Sequence, residues 1–168
     1  MQICNDYNYV SNIDKNSQEY SESYNVLSDM CNNDKRNKDV FDNDEYLRNP
    51  SSRDLQEAIN DDKIQQHDGK IANGKYIYVL DMDNKIFFGL RKTSNGKDGY
   101  SPHPMLIGGK NPKVQCAGEI EIRDGKIYKV NHHSGHYKPN RRSLKKVKVY
   151  MQELYKKKPS LFHKDTIE

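Results

Sequence analysis

The pair Asp124-Gly125, flanked on both sides by alternating apolar and polar residues, constrains this chain more than any other feature. Within Ala117-Gly118-Glu119-Ile120-Glu121-Ile122 carboxylate and hydrocarbon alternate from Glu119 to Ile122, Arg123 to Lys126 supplies a turn, and Ile127-Tyr128-Lys129-Val130 runs back. Asp-Gly tolerates the left-handed backbone that a tight, right-twisted hairpin demands, so the segment predicts two antiparallel strands. Tyr76 to Leu80 and Lys85 to Leu90, separated by Asp81 to Asn84, repeat the pattern with aromatic and β-branched residues. Beyond Tyr137-Lys138-Pro139 the period changes. Leu144, Val147, Met151, Leu154 and Tyr155 fall on one helical stripe, with Pro159 past its end. Two hairpins beside a helix predict an α+β domain: a small, strongly bent antiparallel sheet with flanking N- and C-terminal helices.

The front of the chain reads differently. Residues 1–50 are rich in Asn, Asp, Ser and Tyr with scattered single apolar residues, which predicts an acidic, partly disordered leader holding at most one weak helix near 16–31. An apolar content of 33% fits a chain that is not packed throughout. Ser51 or Ser52 can cap a following helix and Asp54 stands at capping-box spacing, so 51–70 is expected to be a short helix over 52–66 and a linker, with the main domain over 71–168. Residues 94–100, punctuated by glycine, read as loop.

Charge is divided along the chain. Residues 1–50 hold ten acids and five bases, whereas 138–168 hold ten bases and three acids, so the two ends stand at −5 and +7 within a total of +4. The basic end can meet an anionic partner, and the front can lie against it. Nothing approaches the run of about 18 apolar residues that a membrane helix needs, and Met1-Gln-Ile-Cys-Asn-Asp lacks the order of a secretory signal. A cytoplasmic chain with no membrane attachment is expected. Cys4, Cys31 and Cys116 are odd in number and widely spaced, which predicts free thiols and no metal site.

The densest run of chemically capable residues lies between His103 and Tyr137. His103-Pro104-Met105-Leu106-Ile107-Gly108-Gly109 is followed by Pro112-Lys113-Val114, Cys116-Ala117-Gly118-Glu119-Ile120, Gly125-Lys126-Ile127 and Asn131-His132-His133-Ser134-Gly135-His136-Tyr137-Lys138-Pro139. Over about residues 76–158 these resemble a domain of bacterial polymorphic-toxin and effector C-terminal regions, and of plant and fungal IQ-motif-containing, calmodulin-binding proteins. The Ser-Gly-His-Tyr-x-Pro run downstream of Ala-Gly-Glu is the specific part. No IQ motif is recognisable, so calmodulin binding does not carry over. Ser101-Pro102-His103-Pro104 stands where many members have a His-His-Ser-Ser run.

The bacterial side of the resemblance implies a toxin- or effector-like enzyme that transfers ADP-ribose from NAD to a protein or RNA acceptor. Under that reading Glu119 stabilises the cationic ribosyl centre as nicotinamide leaves, His103 or His136 orients ribose and Tyr137 stacks. A fixed carboxylate is worth most against such a charge in a dry cleft. Ser134, Gly135, Gly108, Gly109 and His103 would line the NAD site, while Lys138, Arg141, Arg142 and Lys145 would hold the partner. The order Glu119 before His136-Tyr137 inverts the usual order of that transferase class. The same residues also suit metal-independent RNA cleavage, with His132, His133 and His136 as base and acid and Lys138, Arg141 and Arg142 on phosphate. A third reading is plain: Glu119 is a solvent-facing strand residue, His136 and Tyr137 are buried rings with satisfied polar tips, Cys116 is a core thiol, and the basic cluster serves a non-catalytic interaction domain.

Overall fold

A computed structural model of the chain describes residues 2–3, as backbone, and 23–163. The elements run β1 (Gln2–Ile3), α1 (Ser28–Asp34), β2 (Phe41–Asp42), β3 (Glu45–Tyr46), β4 (Arg53–Asp54), β5 (Ile59–Asn60), β6 (Lys63–Ile64), β7 (Gly74–Asp81), β8 (Ile86–Gly89), β9 (Val114–Arg123), β10 (Lys126–Val130) and α2 (Leu144–Lys157). The expected α+β class is observed, with both hairpins. A six-stranded sheet has the order β1-β10-β9-β7-β8-β4, and β2-β3 and β5-β6 form small separate ribbons. Strands β7 and β9 join the two hairpins at the centre, antiparallel from Gly74 opposite Ile122 to Asp81 opposite Val114. Only the β1–β10 pairing is parallel among the described strands.

The turns form for the reasons their residues suggest. Asp124 and Gly125 both take positive φ, 48° and 78°, closing Arg123 onto Lys126. In the first hairpin Asp81 accepts from the amides of Asp83 and Lys85 through one carboxylate oxygen, a local Asx turn.

Alternation along the strands separates two faces. One carries Tyr76, Tyr78, Leu80, Cys116, Ile120 and Ile122 and packs against Val147, Met151 and Leu154 of α2. Each helix side chain buried there contributes about 1.5–3 kcal/mol relative to exposure. The expected stripe is observed except at Tyr155, which stays 38% exposed. The opposite face carries Ile77, Val79, Val114 and Ala117 and receives Leu106 and Tyr137. No helix among the described residues is long and apolar enough to cross a membrane.

Two expectations need correcting. Residues 52–66 are not a helix: Arg53–Asp54 adds an edge strand to β8, and Ile59–Asn60 turns back on Lys63–Ile64 through Asp61 and Asp62 at positive φ. Ser51 caps nothing. Its hydroxyl is buried between the Asn49 side chain and the Leu90 carbonyl, and it accepts from the Leu90 amide. Asp54 receives the Gln56 amide, which is a turn contact two residues away rather than the reach of a capping box.

The second concerns the front of the chain. Part of the expected 16–31 helix lies outside the described residues; the observed α1 begins at Ser28. From residue 23 onward the segment is packed. Tyr24 pairs with Val114, the Leu27 amide donates to the His136 carbonyl, and Tyr46 and Gly109 exchange both backbone hydrogen bonds. Val40, Phe41 and Tyr46 make a small core with Met105. Residues 23–50 therefore form a strap across the sheet face that bears Tyr137.

Candidate functional site

The candidate site lies where the strap, the 3-10 turn His103–Leu106, β9 and the loop after β10 meet. Its geometry starts at Gly118. The chain leaving β10 crosses β9 so closely that a Cβ at residue 118 would collide with the Asn131 carbonyl oxygen. That oxygen accepts from Tyr78 at 2.6 Å, and the Asn131 side chain accepts the Glu119 amide at 2.8 Å while donating to Glu119 Oε1 at 3.1 Å. Asn131 thus fixes Glu119 on the same sheet face as Ala117. The Glu119 carboxylate remains 37% exposed, with His133 Nδ1 at 3.9 Å.

His103 is 3% exposed between Pro102 and Pro104, and its Nε2 lies 2.8 Å from the Gly118 carbonyl. A carbonyl only accepts, so Nε2 carries the proton. Burial drives the ring's pKa down to about 4 against the hydrogen bond to Gly118, with the positive charge of Arg91 and the nearness of His136 acting in the same direction as burial and Glu119 opposing weakly. His103 is a neutral donor.

His136 has a different partner, one that sequence reasoning missed. Its Nε2 lies 2.8 Å from Asp34 Oδ2, and that carboxylate also accepts from Tyr46 at 2.6 Å and, through Oδ1, from Tyr100 at 2.7 Å. Both phenol protons point at Asp34, so the imidazole must donate as well, since an unprotonated Nε2 would set lone pair against lone pair. Burial works against the charged form of Asp34. The hydrogen bonds from His136, Tyr46 and Tyr100 outweigh it and hold the carboxyl below its usual range. The same environment pushes both phenols up, by burial first and then by the neighbouring negative charge. Nothing in the sequence marks Asp34 among the ten acids of its segment.

Tyr137 lies beneath these groups, 2% exposed, among Ile77, Val79 and Ala117. Its hydroxyl donates to the Pro112 carbonyl at 2.6 Å, and burial raises its pKa. No face of the ring is left for stacking on a ligand. Ser134 accepts the Tyr137 amide at 3.3 Å, and Gly135 is exposed. Gly108 and Gly109 take positive φ, but their amides are committed to the Pro104 and Tyr46 carbonyls, so they present no anion-binding nest. Lys138, Arg141 and Lys145 are exposed and Arg142 is half-buried, strung from the loop into the start of α2. Cys116 belongs to the other face, where Ser143 and Tyr78 contact its sulfur and burial raises its pKa.

His103, Glu119, His136 and Tyr137 therefore share one sheet face, yet only Glu119 reaches solvent to any extent. Two open clefts of about 350 and 320 Å³ lie elsewhere. The first runs between α1 and Lys110-Asn111, with Val26, Phe41 and Tyr46 among its walls. The second lies between α2 and the first hairpin. Neither is lined by any of those four residues.

Comparison with known families decides the relationship. The model of the IQ motif-containing protein middle domain matches residues 50–144, more than half of the chain. The chain belongs to this family. Within it, the matched span starts at the strap's end, contains β4 to β10 and His103 to Tyr137, and stops at the first residue of α2. The IQ-motif side of the resemblance is thereby shown, and the family description carries neither a toxin nor a transferase. No curated protein and no solved structure matches the chain significantly. The middle domain, as its description has it, is part of proteins that contain an IQ motif.

Proposed function

We propose that this chain is a non-catalytic interaction module in which the middle domain supports α2 and the loop before it, and the basic face of α2 is presented to a protein partner with an acidic surface. One observation carries the reading: the groups with most chemical capability are spent inside the fold. His103 is committed to the Gly118 carbonyl, His136 to Asp34 and Tyr137 to the Pro112 carbonyl. Lys145, Lys156 and Lys157 meanwhile stand exposed on α2. Two cations in the last helical turn also complement the helix dipole, so their charge costs the helix little. A buried apolar stripe rules α2 out as a free amphipathic helix to be wrapped by a partner; it offers charge and an exposed flank instead.

A second reading rests on Glu119, half-exposed on the face that also holds His103 and His136: ADP-ribosyl transfer from NAD, with Glu119 as the charge-stabilising group. One set of assays separates the two. Purified protein is titrated with calmodulin as the acidic protein probe, with and without calcium, and incubated separately with labelled NAD plus lysate and with single-stranded RNA. The interaction reading expects salt-sensitive calmodulin binding that survives Glu119→Gln, and no label transfer or shortened RNA. Label transfer abolished by Glu119→Gln overturns it in favour of the transferase.

A further inference from the structure

Of the two open clefts, the one beside α1 holds about 350 Å³ and carries charges of both signs. Val26 and the edge-to-face pair Phe41 and Tyr46 give it an apolar wall, with the two ring centroids 5.0 Å apart. The Tyr46 hydroxyl is committed to Asp34, so this wall offers hydrocarbon rather than a donor. Three charged side chains line the same cleft, all of them exposed: Lys35, Asp44 and Lys110. Asp44 lies at positive φ in the turn between β2 and β3, and Lys110 follows Gly109. Tyr46 and Gly109 exchange both backbone hydrogen bonds, so Asp44 and Lys110 share one rim. Lys35, just past α1, stands on the other side with its ammonium 5.9 Å from the Phe41 ring centroid. Among the described residues none of these three charges belongs to an ion pair. Cys31, half-buried, also lines the α1 side.

Two cations and one anion complement a ligand with two carboxylates and one ammonium. Their grouping narrows the class. Asp44 and Lys110 on one rim match an ammonium and a carboxylate held on one carbon, the head of an α-amino acid, while Lys35 matches a carboxylate at the far end. A peptide linked through its α-carboxyl separates the first two groups; one linked through a glutamate γ-carboxyl keeps them together. We infer that the α1 cleft binds a small γ-glutamyl peptide, its amino-acid head between Asp44 and Lys110 and its terminal carboxylate on Lys35. The middle of the ligand lies along Val26 and Phe41, in a cleft whose volume is within the usual range for small-molecule sites. Exposed ion pairs are each worth little, so the dissociation constant is expected at about 0.1–1 mM, and the pattern of signs supplies the selectivity. The inference goes beyond the interaction reading and does not rest on it: most of the lining, from Val26 to Tyr46, precedes the span that the family matches.

The test uses the full chain and S-methylglutathione, a γ-glutamyl tripeptide whose blocked thiol excludes disulfide exchange with Cys31. Binding is followed by amide shifts in NMR spectra and by the rate at which iodoacetamide alkylates Cys31. At about ten times its dissociation constant the ligand slows alkylation about tenfold by occupancy alone. Lys35→Gln and Lys110→Gln each weaken binding about two- to fivefold. Asp44→Asn is the informative variant, because the two accounts of the cleft differ in sign. If the lysines merely attract an anion, removing a nearby carboxylate tightens binding; in the inferred site it weakens binding about two- to fivefold, since the ligand ammonium loses its partner. N-acetylation of the ligand's glutamyl amine weakens binding to the unaltered protein by a similar factor and has little effect on binding to Asp44→Asn. Asparagine tolerates the left-handed backbone at residue 44, and all three substituted side chains are exposed, so the melting temperature of each variant stays within about 2 °C of the unaltered protein. Absence of binding up to about 10 mM, tighter binding by Asp44→Asn or of the acetylated ligand, or unchanged alkylation of Cys31 in the saturated protein overturns the site. None of these results bears on the calmodulin titration, which judges the interaction reading separately.

Discussion

Replacing Asp34 by Ala removes the acceptor on which Tyr46, Tyr100 and His136 converge, and the cost follows from which donors can recover. Tyr100 is 49% exposed and can turn its hydroxyl to water, whereas Tyr46 and His136 are 2% and 6% exposed and cannot. Hydrogen bonds to a charged acceptor contribute about 1.5–3 kcal/mol each, and opening a buried charged cluster from one side costs about 3–5 kcal/mol. The expected destabilisation of Asp34→Ala is therefore about 3–5 kcal/mol. At about 2–4 °C per kcal/mol for a chain of this size, that lowers the melting temperature by roughly 6–20 °C. Asp34→Asn keeps one oxygen for Tyr46 and His136 and turns its amide toward Tyr100, which can rotate to accept, so its cost is about 1–3 kcal/mol. The chain has no tryptophan, so urea unfolding is followed by far-ultraviolet circular dichroism and tyrosine emission.

Acid gives the sign of the same argument. The folded-state pKa of Asp34 lies below its ordinary 3.8. Below that ordinary value the unfolded chain takes up the proton first, so the carboxylate's contribution is complete above 3.8 and is lost as pH falls through the folded value. The gap between the unaltered protein and Asp34→Ala closes on acidification. An Asp34→Ala protein within about 1 kcal/mol of the unaltered one, or an Asn variant as damaged as the Ala variant, refutes the account of the strap as held by a buried anion.

Three further outcomes are expected. His103, with its folded pKa depressed from 6.5 to about 4, stabilises the fold fully above 6.5 and loses that contribution as pH falls toward 4; its ring signals in a two-dimensional NMR titration stay constant down to about pH 5, and a midpoint near 6.5 contradicts the assignment. Gly118→Ala drives a methyl group into the Asn131 carbonyl and destabilises by on the order of 3 kcal/mol, read as a lowered urea midpoint; a neutral substitution shows that the crossing chain can retreat. Cys116, fully buried with a raised pKa, resists iodoacetamide in the folded protein, while the partly exposed Cys31 is alkylated; peptide mapping by mass spectrometry distinguishes them.

The hairpins and the C-terminal helix were legible because each is written locally. Alternation placed Ile120 and Ile122 on one face, Asp124-Gly125 supplied the left-handed turn, and the Leu144, Val147, Met151, Leu154 stripe needed only its own period. The helix that Ser51 and Asp54 suggest over 52–66 does not form because their hydrogen bonds are claimed by Asn49, Leu90 and Gln56. Asn60-Asp61-Asp62 was the better signal, since two consecutive residues at positive φ end any helix there.

The site was half legible for a reason that bears on its chemistry. Short-range pattern pointed to His103, Glu119, His136 and Tyr137, and all four do gather on one face, but pattern could not say whether a polar side chain faces substrate or a structural partner. That depends on contacts such as His136 to Asp34, 102 residues apart in the chain. A segment that is acidic, polar and poor in hydrocarbon reads as unpacked by composition, because composition credits only apolar burial. The strap over 23–50 is held down partly by other means: Val40, Phe41 and Tyr46 supply a small core, backbone pairs tie Tyr24 to Val114 and Tyr46 to Gly109, and one buried carboxylate gathers three donors, two of them from outside the strap. Since a charge-assisted hydrogen bond rivals a buried methylene or two in worth, a single Asp can order a segment that hydropathy dismisses. The same currency sets the cost of a reacting His136: an imidazole that gives its Nε2 proton to a substrate gives up its hydrogen bond to Asp34, one of the contacts that hold the strap.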